Sequence, residues 1–521
     1  MLRSSYYIEP SEIDQLVFDK LVPEDHLLRR AKAALDFRAV ALRIKDRYHP
    51  RMGRPAEDPV RMIKLGFLQF LYNLSDREVL KQTQVNVAFR YFLDLSLDSP
   101  LPTVGLLSQF RTRLGEAGYR ELFEELIAQA RAKGLVKDRL RLKDATHVIA
   151  NIAIPSAIQL VAQTRTRLLR SAKAYAKERV AYEEEQAAHI RQWTDDLKDE
   201  VRLLARVAHL RQIVAWADEL QHSLGEPPPQ DPKRQRFDQA LALAHRILDQ
   251  NDHPDQKDKT LSVHDPDARR GKHGDFYDGY QLDLSLDADS ELITQVDTPP
   301  ANHDEAANAE NLIEREEQAQ GNDVAALSMD GIGFRGEILR TLKDPQGLGL
   351  AVYVPPREWS SYVGPYFTPA DFHLEEDGSL LVCPAEEETR TRHRNSKDTG
   401  WKFSFKRSQC QPCPLLEKCM AKLPSSNGRT VVKNEYEAEY RAARELAQTQ
   451  AYAQVRQEHP KVERKLAEIV RFHGGRRTRY RGGWRVAIQY LLTAMVVNLK
   501  RMVKLLWGDG QDAAHLQAAP S

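Results

Sequence analysis

Apolar and polar positions change rhythm several times along the chain, and each change predicts a different kind of element. Up to about Val136 the apolar residues recur at three- and four-residue spacing in short runs, which predicts an all-helical segment over 1–136. Pro55 to Pro59 forms a turn into residues 60–71, the most apolar of these helices. Ser75-Asp76-Arg77-Glu78 has capping-box spacing, 83–93 reads as a short helix, and Pro102-Thr103 opens another that carries Phe110-Arg111-Thr112-Arg113. Short helices with Arg and Lys outward are compatible with a helix-turn-helix reader of DNA, or with a packing and dimerisation module. At 140–150 the rhythm becomes period two, a strand with Asp144 in its middle or at its end. An acid buried there is costly unless it is paired or metal-bound.

After Pro155 the helical rhythm returns. Leu197, Val201, Leu204, Val207, Leu210 and Val214 step by threes and fours, as in an antiparallel helical pair that Pro227-Pro228-Pro229 ends. A shorter helix over 237–248 and a polar linker to Lys259 complete an insertion over 156–259. Period two resumes at 260–263 and again at 280–287, whose hairpin partner is 292–296. Asn302-His303-Asp304-Glu305 reads as the cap of a helix reaching Gln320, and the apolar run 324–329 as a buried strand ending in Asp330 and a Gly turn. A helix over 335–342 and a strand over 350–354 follow. The sum is an α/β fold: a mixed sheet over 137–155 and 260–356, with acids at strand ends, where open sheets collect ligands.

Near the C-terminus, 459–473 reads as a helix with Pro460 in its first turn and a single carboxylate near its front, Glu463, next to the apolar Val462. Arg476, Arg477, Arg479, Arg481 and Arg485 follow among Gly, Tyr and Trp, a stretch suited to DNA phosphates. Residues 486–499 form an apolar run that is too short and too polar to span a bilayer, and so predict a buried helix. The segment 435–505 thus holds an acid-bearing helix, a basic loop and a buried helix, and 506–521 reads as a disordered tail.

Charge changes this picture only locally. The 521 residues carry 76 Lys and Arg against 75 Asp and Glu, a formal net charge of +1, so the whole-chain balance points to no partner. All four cysteines, Cys383, Cys410, Cys413 and Cys419, fall in a polar insertion over 357–434, and the chain opens without an apolar leader. Reduced cytoplasmic thiols so clustered suit one tetrahedral zinc ion, although the spacing matches no standard finger and ordinary free cysteines are the alternative.

With these residues in hand, the chain resembles bacterial insertion-sequence transposases of the DDE class, closest to the group numbered eleven-eighty-two. The resemblance runs from Gly53-Arg54-Pro55 and Phe110-Arg111-Thr112-Arg113, through Asp265-Pro266-Asp267-Ala268-Arg269, to Arg479-Tyr480-Arg481-Gly482. Its strongest matches are Lys143-Asp144-Ala145-Thr146, Met329-Asp330-Gly331 and Lys461-Val462-Glu463-Arg464-Lys465. It implies an RNase H-like core, in which Asp144, Asp330 and Glu463 bind two Mg2+ or Mn2+ ions for DNA cleavage and strand transfer. It further implies double-stranded DNA as partner, a homodimer without membrane association, and a nucleoid-associated cytoplasmic location. Arg54, Arg111 and Arg113 join the basic loop as DNA-binding residues. Relatives often carry Tyr-x2-Arg-x3-Glu-x6-Lys around the third acid. Here His459 stands four residues before Glu463 and Val470 seven after it, so Glu468 is the alternative third acid. An RNase H-like nuclease that cuts without joining, or an inactive zinc-stabilised DNA-binding protein, are the other readings.

Overall fold

A computed structural model describes residues 1–2, 6, 11–49, 51–226, 231–357, 365–375, 377–395 and 399–508. Helices α1 (Glu12–Leu21), α2 (Leu27–Ala34), α3 (Phe37–Leu42), α4 (Pro59–Leu71), α5 (Asp76–Val85), α6 (Val87–Phe92) and α7 (Val104–Ala132) open the chain. The cap expected at Ser75 is present with both of its reciprocal bonds to Glu78. Every residue of α4 from Met62 to Phe70 is buried, so this helix is a core element rather than a surface one. α7 kinks at Gly115, whose φ of 60° suits a residue without a side chain.

The sheet is mixed. β1 (Arg141–Ile149) pairs antiparallel along its length with β3 (Asp275–Asp287), and on its other edge runs parallel to β5 (Ala326–Ser328). β5 in turn runs parallel to β6 (Ala351–Tyr353), while β2 (Arg269–His273) and β4 (Ile293–Asp297) pair with the first and second halves of β3. α12 (Asn308–Gln320) lies against β3 and β4, and α13 (Gly336–Lys343) against β6.

The two insertions have cores of their own. α8 (Ala157–Ala172), α9 (Lys177–Thr194), α10 (Asp199–Ser223) and α11 (Pro232–Asp252) close around Leu168, Leu210, Ile213, Phe237 and Ile247. In the Cys-containing segment, a sheet of β7 (His373–Leu374), β8 (Leu381–Val382) and β9 (Glu388–Thr389) lies beside one of β10 (Arg392–Arg394), β11 (Trp401–Ser404) and β12 (Thr430–Lys433). Its fully buried residues are few, chiefly Phe372, Leu381, Phe403, Phe405 and Val431. The short helices α14 (Arg407–Cys410) and α15 (Leu416–Cys419) carry thiols at their ends.

The chain ends in α16 (Glu437–Leu446), α17 (Gln450–Glu458), α18 (Pro460–Phe472) and α19 (Gly483–Trp507). α19 is enclosed by α2, α4, α7 and β4, so one apolar core joins the first helices, the sheet and the last helix. At 25 residues it is longer than the apolar run 486–499 and long enough to cross a membrane, but 89% of its most apolar window is buried inside the fold.

Several expectations need correcting. The insertion holds four helices where a pair and a shorter helix were expected, because 157–172 and 177–194 also turn amphipathic faces inward. Residues 260–263 make no strand: Thr260 donates its N–H to the Gln250 side chain, and Val263 packs into the helical insertion. β3 begins at Asp275, five residues before the expected start, and pairs there with a strand that the polar sequence 269–273 hides. The helix expected to start near Asn302 starts at Asn308, and Asp304 instead accepts the N–H groups of a preceding turn. Pro227 to Pro229 and the tail beyond 508 lie outside the described residues.

Candidate active site

The two faces of β1 carry different chemistry. On one, Arg141 is fully buried and bonds Glu316 of α12 at 2.6 Å and Asp287 of β3 at 3.0 Å. Lys143 lies on the same face, 3.1 Å from Asp283 and 3.6 Å from Glu305. Such charges persist in an interior only when paired in this way. The opposite face carries Asp144, half-buried, with one oxygen accepting the Ala145 N–H at 2.9 Å.

The register of β1 and β5 brings the second acid alongside. Arg141 pairs with Leu327 and Leu142 with Ser328, and each acid lies two residues beyond that last pair, near enough for the Asp330 carboxylate to act on Asp144. Asp330 sits where β5 has given way to a turn, and its side chain caps that turn by accepting the Ile332 N–H at 3.0 Å. Glu463 comes from the first turn of α18, which packs on β1. A cavity of about 350 Å³ opens between strand and helix, lined among others by Asp144, Thr146, His273, Glu463, Arg471 and Arg476.

Burial pushes the Asp144 carboxyl up to about 7, and the carboxylates of Glu305 and Asp330 add to the effect. Desolvation is thus the first cause and repulsion between acids the second. Glu468 is in the reverse situation. Lys465 at 3.0 Å and Lys500 at 2.9 Å hold it down to about 2 against the desolvation that opposes them, and it does not line the cavity.

Hard carboxylate oxygens around an open cavity suit magnesium or manganese, which take one or two carboxylates and leave other positions to water and substrate. A raised carboxyl pKa at such a place is what a site short of positive charge produces. Among the described residues, no three His, Cys, Asp or Glu side chains are arranged as a complete metal-binding group. That holds for the thiols too. Cys383, Cys410, Cys413 and Cys419 nonetheless border one cavity of about 30 Å³, and the Arg429 N–H donates to Cys410 Sγ at 3.3 Å.

The basic residues divide. Arg476 lines the acid cavity and is fixed to the strand of Asp144, donating to the Thr146 hydroxyl at 3.2 Å and the His147 carbonyl at 2.7 Å. Arg54, Arg113, Arg477, Arg481 and Arg485 are exposed. Arg111 and Arg479 are engaged internally: Arg111 pairs with Asp76 and lies 5.0 Å over the Tyr480 ring. Arg479 donates to the Leu74 carbonyl at 2.8 Å and lies 4.6 Å over Phe70. The loop is fastened along the end of β1, where Ile149 donates its N–H to the Arg476 carbonyl and accepts the Thr478 N–H, each at 2.9 Å. Trp484 packs against the core. His273 and Arg456 are neighbours of the acids that the sequence did not single out, since each lies in a stretch with no motif of its own, and Glu305 was read only as part of a helix cap.

Two family models match the chain: "Transposase domain (DUF772)" over residues 16–113 and "Transposase DDE domain" over residues 382–503. No curated protein and no solved structure matches it. The second match takes in the part of the Cys-containing segment that holds all four thiols, together with α16 to α18 and most of α19. Transposase domains toward both ends support a transposase of the insertion-sequence DDE kind, acting on DNA.

Proposed function

We propose that the protein cuts DNA at the ends of an insertion sequence and joins the freed ends to a target, using Asp144, Asp330 and Glu463 on an RNase H-like core. The observation that carries this reading is the meeting of strand and helix. Asp144 lies on β1 and Asp330 in the turn just after β5, each two residues beyond the last pair of those parallel strands, and Glu463 faces the cavity that Asp144 lines. Divalent ions held by these carboxylates would supply activation of the attacking oxygen and charge neutralisation at the leaving one. Asp144 binds in its ionised form and yields its proton on loading. Arg476, held rigid by β1, offers its remaining donors to the phosphate, and exposed Arg477, Arg481 and Arg485 track the duplex on either side.

The finer assignment, to the group numbered eleven-eighty-two acting as a homodimer on the nucleoid, rests on the motif matches. A structural zinc ion is part of the same proposal. Every cysteine of the chain reaches one cavity, in a segment whose small core gives it little stability alone. The test of function is a joining assay with DNA carrying the inverted repeats that flank the coding region. Joined products in Mg2+ support transposition. Cleavage without joining would reduce the activity to that of a nuclease, and no cleavage in either metal would remove it.

A further inference from the structure

One hydroxyl and two side chains tie the strand of Asp330 to the helix of Glu463. Ser328 Oγ, fully buried, lies 3.1 Å from His459 Nδ1 and 3.2 Å from Arg456 Nη1. The same Arg456 nitrogen donates to the Met329 carbonyl at 2.8 Å. A guanidinium only donates, so Arg456 donates to Ser328 Oγ, and the hydroxyl shares a second hydrogen bond with His459 Nδ1. Burial and the Arg456 charge push His459 down to about 4, so the imidazole is neutral at neutral pH.

The positions matter as much as the bonds. Ser328 and Met329 are the two residues before Asp330. His459 is the junction between α17 and α18, and Glu463, four residues on, rises from the same helix face one turn later. Arg456 and His459 also stand seven and four residues before Glu463, where the transposase pattern has Tyr and Arg. In this chain those positions turn toward the sheet.

We infer that Arg456 and His459 are positioning residues, a latch on Ser328–Met329 that sets the separation of the Asp330 and Glu463 carboxylates; this rests on the roles proposed for those acids. In this role both residues act through Ser328 and Met329 and not by holding DNA or metal themselves. Their removal leaves the acids in place but free to drift, which weakens metal binding before it affects anything else. Outer-shell partners of this kind are worth about 10–100-fold in metal affinity.

The experiment is Mn2+ titration of the full chain without DNA, read by electron paramagnetic resonance. Ser328→Ala, Arg456→Ala, Arg456→Lys, His459→Ala and Asp330→Asn are compared with wild type, each with a thermal melt and a gel shift on end DNA in Ca2+. Ser328→Ala and Arg456→Ala are expected to weaken Mn2+ binding about tenfold or more. Their end-DNA affinity is expected to stay unchanged, and Arg456→Lys should recover part of the loss. Cleavage by Arg456→Ala should return as Mn2+ is raised. If Arg456→Ala proves too unstable to purify, Ser328→Ala, which loses a single oxygen, decides the matter. Wild-type Mn2+ affinity in Ser328→Ala and Arg456→Ala, with Asp330→Asn unable to bind, would overturn the latch alone. Wild-type binding and cleavage by Asp330→Asn would instead remove the proposed active site.

Discussion

At Asp144 the protein holds a carboxyl that would rather keep its proton, and two measurements follow from that. Its folded pKa is about 7 against 3.8 for the free side chain, so between those values the folded state carries more protons than the unfolded one. Stability therefore falls as pH rises from about 4 to about 7. Asp144→Asn removes the cost, and its melting temperature should exceed that of wild type by about 2 °C or more at pH 8, with the difference shrinking at pH 5. A melt showing no gain at either pH would contradict the assigned burial. Calorimetry of Mn2+ binding near pH 6.5, repeated in buffers of different ionisation heat, should likewise detect proton release that Asp144→Asn abolishes. Glu468 runs the other way. Its pKa is depressed to about 2 from 4.5, so its contribution is present above about pH 4.5 and lost as pH falls toward 2. Glu468→Gln should cost acid-sensitive stability and leave cleavage nearly intact.

Between elements, the arginines of the C-terminal loop serve two purposes. Arg479→Ala should lower the melting temperature, because its guanidinium ties the loop to the turn after α4 and covers Phe70. Arg477→Ala and Arg481→Ala should instead flatten the salt dependence of DNA binding by about one unit of slope each. An unchanged slope in both would remove this surface from the DNA path. The sequence distinguishes these arginines poorly, since Arg479 and Arg481 look alike until α4 and Asn151 are placed beside them. Acid-bearing elements were legible for a local reason: Asp144 and Asp330 interrupt apolar runs, and Glu463 follows a Pro-initiated helix. The buried ionic face of Arg141, Lys143, Asp283 and Glu316 was not, because its partners lie more than 100 residues apart and alternate with apolar positions as exposed polar residues do. In the Cys-containing element, purified protein should carry about one zinc per chain, and Cys410→Ser should lose it. Metal-free protein with four freely titratable thiols would leave ordinary cysteines.

Across the whole molecule, α19 is the organising element. It runs through the middle of the first helices and packs on β4, so the segment matching one transposase domain forms the core of the segment matching the other. Asp144 and Glu463 line one cavity at the edge of that core, and Asp330 follows the strand that pairs with the strand of Asp144; a four-helix segment and a thiol-bearing one separate the three in the chain. The central claim is that these three carboxylates do the chemistry together. The direct measurement is single-turnover cleavage of end DNA in Mn2+ by Asp144→Asn, Asp330→Asn, Glu463→Gln and Glu468→Gln, each checked for end binding by gel shift. The first three should lose more than about a hundredfold in rate with binding retained, since even outer-shell changes at such sites cost 10–100-fold, and Glu468→Gln should cut nearly as wild type. Normal cutting by Glu463→Gln beside a dead Glu468→Gln would move the third acid, and normal cutting by both Asp variants would contradict the account.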